Sequence, residues 1–468
     1  MKKRLLVVFL CVVLIFTGVV LWGAVPYAGD IKVSAATKAA FSADNFYGEN
    51  GCAERIMLLE DSGEAFRHRI NIIKSAQKEI YFSTYITHDG AAAKIFYSAL
   101  LAKADEGVKV NILVNANFFK TPKEIKYALV THKNIDYYEY NPINFSKIHY
   151  SNVAMHDKIL LADDKYLIFG DRNIGDKYYN FPDCDEKYFL GSDLFIYNPD
   201  ENFAGAIVDT KAYFHALIDC SFTKKRELIS KNKMKSGEKR KGEMTAVYND
   251  YIAGTDFSDI DYGTSTIAVN KITLISNPIE GAKKEPIVAY NLYRLAKESD
   301  RVVIQSPYLT LTKKDLGRLR DIADNTEEFI ILTNSLATND HIPSFYNYYA
   351  LRQRVVDTGI EIYEFQEADY SLHSKTFLFD GRLTAIGSFN LSERSVRIDT
   401  ETMMIIDSTE FNEQIEAYYA RYKARSLRVN GQNEYDSDEN VAPAEFSNVT
   451  RFFEKMFGYI LNAIIFLL

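Results

Sequence analysis

The chain has 468 residues, 47% of them hydrophobic, with a formal net charge of −8 and four cysteines. That length and apolar content exclude a disordered chain and allow two ordinary domains, each with its own core. The charge already counts the three cations Lys2, Lys3 and Arg4, so the body is more acidic still. This argues against a nucleic-acid partner, because nonspecific affinity for phosphate backbones rests on Lys and Arg releasing counterions.

Behind those cations an uncharged apolar run extends from Leu5 to Val25, long enough to cross a bilayer as a helix. The positive-inside rule then places the N-terminus in the cytoplasm, with a single-pass anchor in the cell membrane and the body on the extracytoplasmic side. A cleaved signal peptide is the alternative, with Val33-Ser34-Ala35 as its small-residue site. Cys11 lies in the apolar run, and Cys52, Cys184 and Cys220 show neither CxxC spacing nor a disulfide framework. Idle thiols and one bridge both fit.

Residues 1–40 thus read as anchor or signal plus linker, and from there the chain is written twice. A β-rich run at 77–85, a helical pattern at 91–106, an apolar strand at 108–114 and Asp136-Tyr137-Tyr138-Glu139-Tyr140 precede the block MHDKILLADDKYLIFGDRN at 155–173. The same order recurs as VVIQSPY (302–308), a helical stretch near 314–324, EFIILTN (328–334), Glu361-Ile362-Tyr363-Glu364-Phe365 and LHSKTFLFDGRLTAIGSFN (372–390). Strands alternating with helices predict an α/β layered domain in each half, over 41–222 and 266–425, related by a pseudo-twofold axis.

Between the halves, 223–265 reads as a basic linker: TKKRELISKNKMKSGEKRKGE has no hydrophobic periodicity. It is either a solvated charge run or a segment drawn to anionic head groups, at about 1 kcal/mol per cation. Residues 426–468 read as a polar linker followed by an amphipathic C-terminal helix. On that helix Arg451, Lys455, Gly458 and Asn462 form a narrow stripe beside a wide face of Phe452, Phe453, Met456, Phe457, Tyr459 and Ile460. Such a helix lies in a membrane interface or docks on the protein itself.

Both halves carry His-x-Lys-x4-Asp-x6-Gly-x2-Asn, as His156, Lys158, Asp163, Gly170 and Asn173, then His373, Lys375, Asp380, Gly387 and Asn390. Five fixed positions recur by chance on the order of 10⁻⁷ per starting residue, so the duplication is a signal. On a strand, residues two apart share a face, so each imidazole converges with an ammonium. Two such pairs suit a phosphodiester: Lys158 and Lys375, with the Asn173 and Asn390 amides, hold the nonbridging oxygens. One histidine attacks phosphorus while the other protonates the leaving alcohol and deprotonates the incoming one. This chemistry calls for no metal and no cofactor. An acid on each ring's other nitrogen would fix its tautomer; Glu401 in IDTETMMII and, by matching GSDLFIYNP to that segment, Asp193 are the candidates.

At these residues the sequence resembles the phospholipase D superfamily over roughly 50–425. GDRNIGDKYY (170–179) and IGSFNLSERSVRIDTE (386–401) resemble the bacterial cardiolipin synthases. The resemblance implies two α-β-α sandwich domains sharing one central site, a two-step exchange through a phosphohistidine, with His156 as nucleophile and His373 as acid and base, and transfer of a phosphatidyl group to phosphatidylglycerol. It also implies a supporting role for Ser388. Asp171 stands at the place of Ser388 in the other half, where the family has Ser or Gly, and a carboxylate there is expected to repel substrate phosphate. Asp399 stands where these synthases often have Asn, and many of them begin with two membrane spans rather than one. The expected partners are a membrane and a phospholipid, phosphatidylglycerol or a related one. The competing readings are a phospholipase D using water as acceptor, a phosphodiesterase or nuclease, and a noncatalytic lipid-binding scaffold.

Overall fold

The computed structural model describes residues 18, 27, 29 and 31–444, apart from 183, 185, 202, 203, 228 and 229. The Leu5–Val25 run, Gly18 excepted, and the amphipathic stretch beyond 444 lie outside the described residues. Among the described residues no helix is long and apolar enough to cross a membrane.

Two large mixed sheets carry the duplication. The first runs Thr223–Lys225, Ile135–Tyr140, Lys109–Asn115, Glu79–Thr84, Ile159–Ala162, Tyr166–Gly170, Asp193–Tyr197, Arg55–Leu59, Ile267–Ala268 in spatial order. The second runs Ser426–Arg428, Glu361–Phe365, Glu328–Asn334, Arg301–Gln305, Thr376–Phe379, Leu383–Gly387, Thr402–Asp407, Lys271–Ser276. Taken position by position, the second order repeats the first eight strands of the first. In each sheet the three strands that are joined through helices are parallel, and the others are antiparallel.

Period-two alternation explains how the sheets stack. Ile80, Phe82, Leu160 and Ala162 face one core with the helices Ser62–Ser75 and Ala91–Asp105, whereas Tyr81, Ile159 and Leu161 face another. That second core also takes Val303, Ile330, Leu332 and Leu378 from the other sheet, so the two halves share a buried apolar layer. The remaining faces, with Val302, Ile304, Phe377 and Phe379, pack on the helices Ile287–Lys297 and Lys313–Ala323.

Two segments read as linkers belong to the lobes. Lys231–Gly254 is a 24-residue helix lying against Lys123–Val130 and Ala91–Asp105. It buries only Gly237, Met244 and Tyr248, too sparse a stripe to register as periodicity among so many lysines. Gly237 lies so close to the Tyr127 backbone that a Cβ there would sit 2.7 Å from its carbonyl. Likewise Ser426–Arg428 closes the second sheet by pairing with Tyr363, Glu364 and Phe365. Cys52, Cys184 and Cys220 are free thiols.

Candidate active site

The two motifs meet where the halves are stitched together. Met155 bridges to Thr400 in parallel fashion, Thr400 N donates to Ala154 O (3.0 Å), and His156 N donates to Thr400 Oγ1 (3.2 Å). On the symmetry-related side Tyr370–Leu372 pairs with Tyr188–Leu190, and His373 N donates to Leu190 O (2.8 Å). Each His-x-Lys is therefore an extended segment lying just before a sheet strand and bound to the opposite half. The strands themselves begin at Ile159 and Thr376.

This crossing decides the acid partners. His156 Nδ1 lies 3.1 Å from the Glu401 carboxylate, and His373 Nδ1 lies 3.1 Å from Asp171 Oδ1. Both carboxylates come from the half that does not carry the histidine they hold. Glu401 is in turn bonded by Ser388 Oγ, which also accepts from Thr402 N (3.0 Å). Ser388 thus supports an acid.

Asp193, proposed from sequence as a histidine partner, is elsewhere. Arg172 donates to it at 2.8 Å and Arg69 lies 2.9 Å away. Burial pushes its carboxyl up, but the two guanidiniums outweigh that and hold it below the usual range. The strand register explains the misplacement. Gly170 pairs with Asp193, while its counterpart Gly387 pairs with Met403. Two residues earlier on each strand, Glu401 therefore corresponds to Gly191. A Cβ on Gly191 would collide with the Asp171 carboxylate, so Asp171 fills the space that a side chain at 191 would take. The expectation that Asp171 merely repels phosphate gives way to a role at His373.

The remaining motif residues divide. Asp163 (φ 56°) and Asp380 (φ 52°) occupy the turns at the far ends of the strands, five residues from the lysines and so roughly 16 Å from them along an extended chain. Asp163 accepts from Gln77 N, Lys78 N and Glu79 N at 2.8–3.0 Å, and Asp380 from Arg301 N at 2.8 Å. Their carboxylates tie one strand end to the next and do not reach the site. Asp163→Ala will lower stability by about 2–3 kcal/mol, from lost amide acceptors and an unfavourable left-handed backbone. The folded fraction will turn over normally. Melting curves paired with active-site-normalised rates check this; a kcat collapse in fully folded protein would return Asp163 to the chemistry.

Asn173 is committed as well, because Ile86 N donates to its Oδ1 and its Nδ2 donates to Tyr178 OH, both at 3.1 Å. Asn390 differs: its buried Oδ1 has no hydrogen-bond partner among the described residues. Asp399 is engaged by Arg394 Nε (2.8 Å), whose NH1 also donates to Asn152 Oδ1 (2.7 Å).

Lys158 and Lys375 each donate Nζ to the carbonyl of their own histidine. Tyr85 meets His156 edge-on at 4.8 Å and lies 5.3 Å beneath Lys158 Nζ, while Phe189 stacks on His373 at 4.9 Å with 18° between planes. Burial, reinforced by the adjacent lysine, drives both imidazoles well below their ordinary pKa, so both rings are neutral in the empty site. Burial also brings Lys158 down to about 7 against the pull of Glu401, and Lys375 to about 8 against that of Asp171. Desolvation raises Glu401 to about 7 despite Lys158, and Asp171 to about 6 despite Lys375. Two neutral nucleophilic bases and two desolvated cations, each bearing on the other pair, make a site that gains by taking up an anion.

Sequence reasoning missed Asp157. This buried carboxylate accepts from Tyr213 OH and Thr402 Oγ1, both 2.9 Å, and from Thr400 Oγ1, and so fixes the His156 segment to the other half. A legible signal did exist for Tyr85, since Ser83-Thr84-Tyr85 and Ser306-Pro307-Tyr308 end matching strands. His68 and His132 serve packing contacts, 3.2 Å from Tyr262 OH and 3.0 Å from Asp105. Among the described residues no group of three His, Cys, Asp or Glu side chains is placed to hold a metal ion.

A family model described as cardiolipin synthase, PLD-like domain, matches residues 70–186 and 292–423, one match per half. The chain is 27% identical over 389 residues to cardiolipin synthase C of Escherichia coli strain K12, covering 75% of this chain and 80% of that one. It is 28% identical over 401 residues to an uncharacterized protein of Helicobacter pylori strain 26695, covering 78% and 79%. Phosphatidylserine synthase of Haemophilus influenzae Rd KW20 matches in fold with a TM-score of 0.67 at 16% identity, over 92% of this chain and 100% of that one.

Proposed function

The chain belongs to the cardiolipin synthase family of phospholipase D-like proteins and is a phosphatidyltransferase of that type; we propose that it exchanges the head group of phosphatidylglycerol or a related phospholipid through a phosphohistidine. The observation that carries this reading is the pair of buried imidazoles, each beside a lysine and each backed by a carboxylate from the opposite half. An anionic phosphodiester seated between Lys158 and Lys375 offsets their desolvation and draws a proton onto His373. His156 Nε2 then attacks phosphorus, and His373 Nε2 gives its proton to the departing alcohol oxygen. The incoming alcohol returns a proton to His373 as its oxygen attacks the phosphohistidine and frees His156. Glu401 and Asp171 hold the Nδ1 side of each ring, so that Nε2 is the reacting nitrogen in both. The apolar Leu5–Val25 run and the terminal apolar stretch support work at a membrane, with the body outside the cytoplasm.

Product analysis tests the reading: detergent-solubilised protein is given phosphatidylglycerol, with thin-layer and mass-spectrometric detection. Cardiolipin that depends on both histidines is the expected result. Histidine-dependent phosphatidic acid alone would make the enzyme a hydrolase, and no histidine-dependent product from any phospholipid would remove the lipid reading.

The lysines set a pH limit. Both must be charged to receive phosphate, so kcat/KM, which reports the free enzyme, falls as pH rises through about 7–8, while protonation of Glu401 at about 7 and Asp171 at about 6 sets the opposing limb on the acid side. The alkaline limb in kcat will lie at higher pH, because bound phosphate favours the ammonium form. A kcat/KM that is flat from pH 6 to 9 would refute the assignment.

A further inference from the structure

An apolar cavity of about 280 Å³ lies behind the second half of the site. Its inner wall includes Phe377, Leu319 and Ile322, and its edge nearest the site is formed by Phe389 and Leu391, the residues on either side of Asn390. The cavity thus shares a wall with the turn that carries Asn390, whose Oδ1 has no partner among the described residues. At about 30 Å³ per water-sized group it has room for about nine methylenes, and protein interiors do not leave apolar voids of that size unfilled without cost.

The internal repeat shows that the space is specific to this half. Ala289, Tyr293 and Ala296 line the cavity from one face of the helix Ile287–Lys297. Counted back from the matching strands at Glu79 and Arg301, the same places in the first half are Arg67, Asn71 and Lys74. There the chain covers its own helix: Arg67 donates to Asp256 O (3.0 Å), Asn71 to Tyr262 OH (3.1 Å), and Lys74 lies 5.2 Å over the Phe257 ring. In the second half two alanines replace two cations, and nothing among the described residues fills the space they leave. Val33, which follows the apolar N-terminal run by only a few residues, stands at the cavity, and the adjoining Ser34 N and Thr37 Oγ1 donate to Glu285 at 2.8 and 2.6 Å. The residues at this edge of the cavity are therefore fixed to the second half.

We infer that this cavity receives one fatty acyl chain of the phospholipid whose phosphate is held by Lys158 and Lys375. The inference rests on the lipid reading above. A chain entering past Val33 passes Leu292, Leu319 and Phe377 to reach Phe389, and its glycerol ester end is then delivered beside Asn390. Arg318, half exposed and paired with Asp315 at 2.9 Å, closes the polar rim.

The test uses the full-length protein in detergent, with dioleoyl and dihexanoyl phosphatidylglycerol, and the variants Ala289→Phe and Ala296→Phe. Each methylene kept out of an apolar site costs about fourfold in affinity, so filling either alanine is expected to lower kcat/KM on the dioleoyl lipid at least about tenfold. The loss on the dihexanoyl lipid, whose shorter chain fills only part of the cavity, should be smaller by at least about threefold. In parallel, phosphatidylglycerol bearing a diazirine at the end of one acyl chain should label peptides from 287–297 or 313–323 in the wild type and not in the filled variants. Labelling confined to other peptides, or equal losses on both lipids in folded variants, would overturn the inference. The labelling is independent of turnover, so a wild type that is inactive on every phospholipid yet labelled in these helices would discard the transferase reading while leaving the acyl site standing.

Discussion

His156→Ala will form no covalent phosphoenzyme and will lose roughly 10⁴-fold or more in turnover, whereas His373→Ala will lose a similar factor on natural lipid yet still become phosphorylated. The asymmetry follows from the two roles. His156 supplies the electron pair that displaces the head group, and no other side chain stands in its place, bonded to Glu401 and faced by Tyr85. His373 supplies a proton, which a good leaving group does not need. A p-nitrophenyl phosphodiester should therefore burst and stall on His373→Ala, because the intermediate forms but lacks a base to activate its acceptor. Rapid quenching with intact-mass detection reads the adduct directly. An adduct on His156→Ala that is absent from His373→Ala would exchange the roles, and adducts on neither would remove the phosphohistidine.

Much of this site was legible because duplication makes a motif conspicuous. His156, Lys158, His373 and Lys375 were found from spacing alone, and Glu328–Asn334 and Glu361–Phe365 have the bounds that their apolar runs suggest. The same duplication misled where the halves differ. Asn173 and Asn390 share a motif position, yet one amide is spent on Ile86 and Tyr178 while the other has an unmet oxygen; no spacing distinguishes them. Asp163 and Asp380 are fixed points of the motif because the turn needs a left-handed residue with a carboxylate that accepts amides. A one-dimensional pattern does not separate that demand from chemistry. The helix Lys231–Gly254 escaped notice because its contact with the helix Lys123–Val130 is made through a glycine, which hydrophobic periodicity does not count.

The crossing of partners matters for more than bookkeeping. Each histidine is held by a carboxylate of the other half, and Asp157 is fixed by Thr400 and Thr402 of the second. Neither half therefore contains a complete base. Small relative shifts of the two sheets would loosen both rings at once, which is why a shared apolar layer containing Tyr81, Leu161, Val303 and Leu378 lies between them: a rigid interior keeps two distant segments of chain in hydrogen-bond register.

Asp171→Gly will cost roughly 10²–10⁴-fold in turnover, the range expected when a catalytic imidazole loses the acid that orients it, and Gly191→Asp added to it will restore most of that loss. The register makes Gly191 the counterpart of Glu401, and the Asp171 carboxylate occupies the volume above Gly191. Emptying position 171 opens that volume to a carboxylate from 191, which would approach His373 as Glu401 approaches His156. Gly191→Asp alone is expected to be poor, since its Cβ meets Asp171 and two carboxylates would share one buried space. The singles are harmful by opposite causes and the double relieves both, so a double-mutant cycle should show a large favourable coupling. A merely structural role for Asp171 predicts equal losses on all substrates. Orientation of His373 as an acid predicts a smaller loss on the p-nitrophenyl ester, whose leaving group departs without a proton. If the double variant, folded by its melting curve, is no faster than Asp171→Gly, the carboxylate at 171 does something that position 191 does not reproduce, and the equivalence drawn from the two sheets fails.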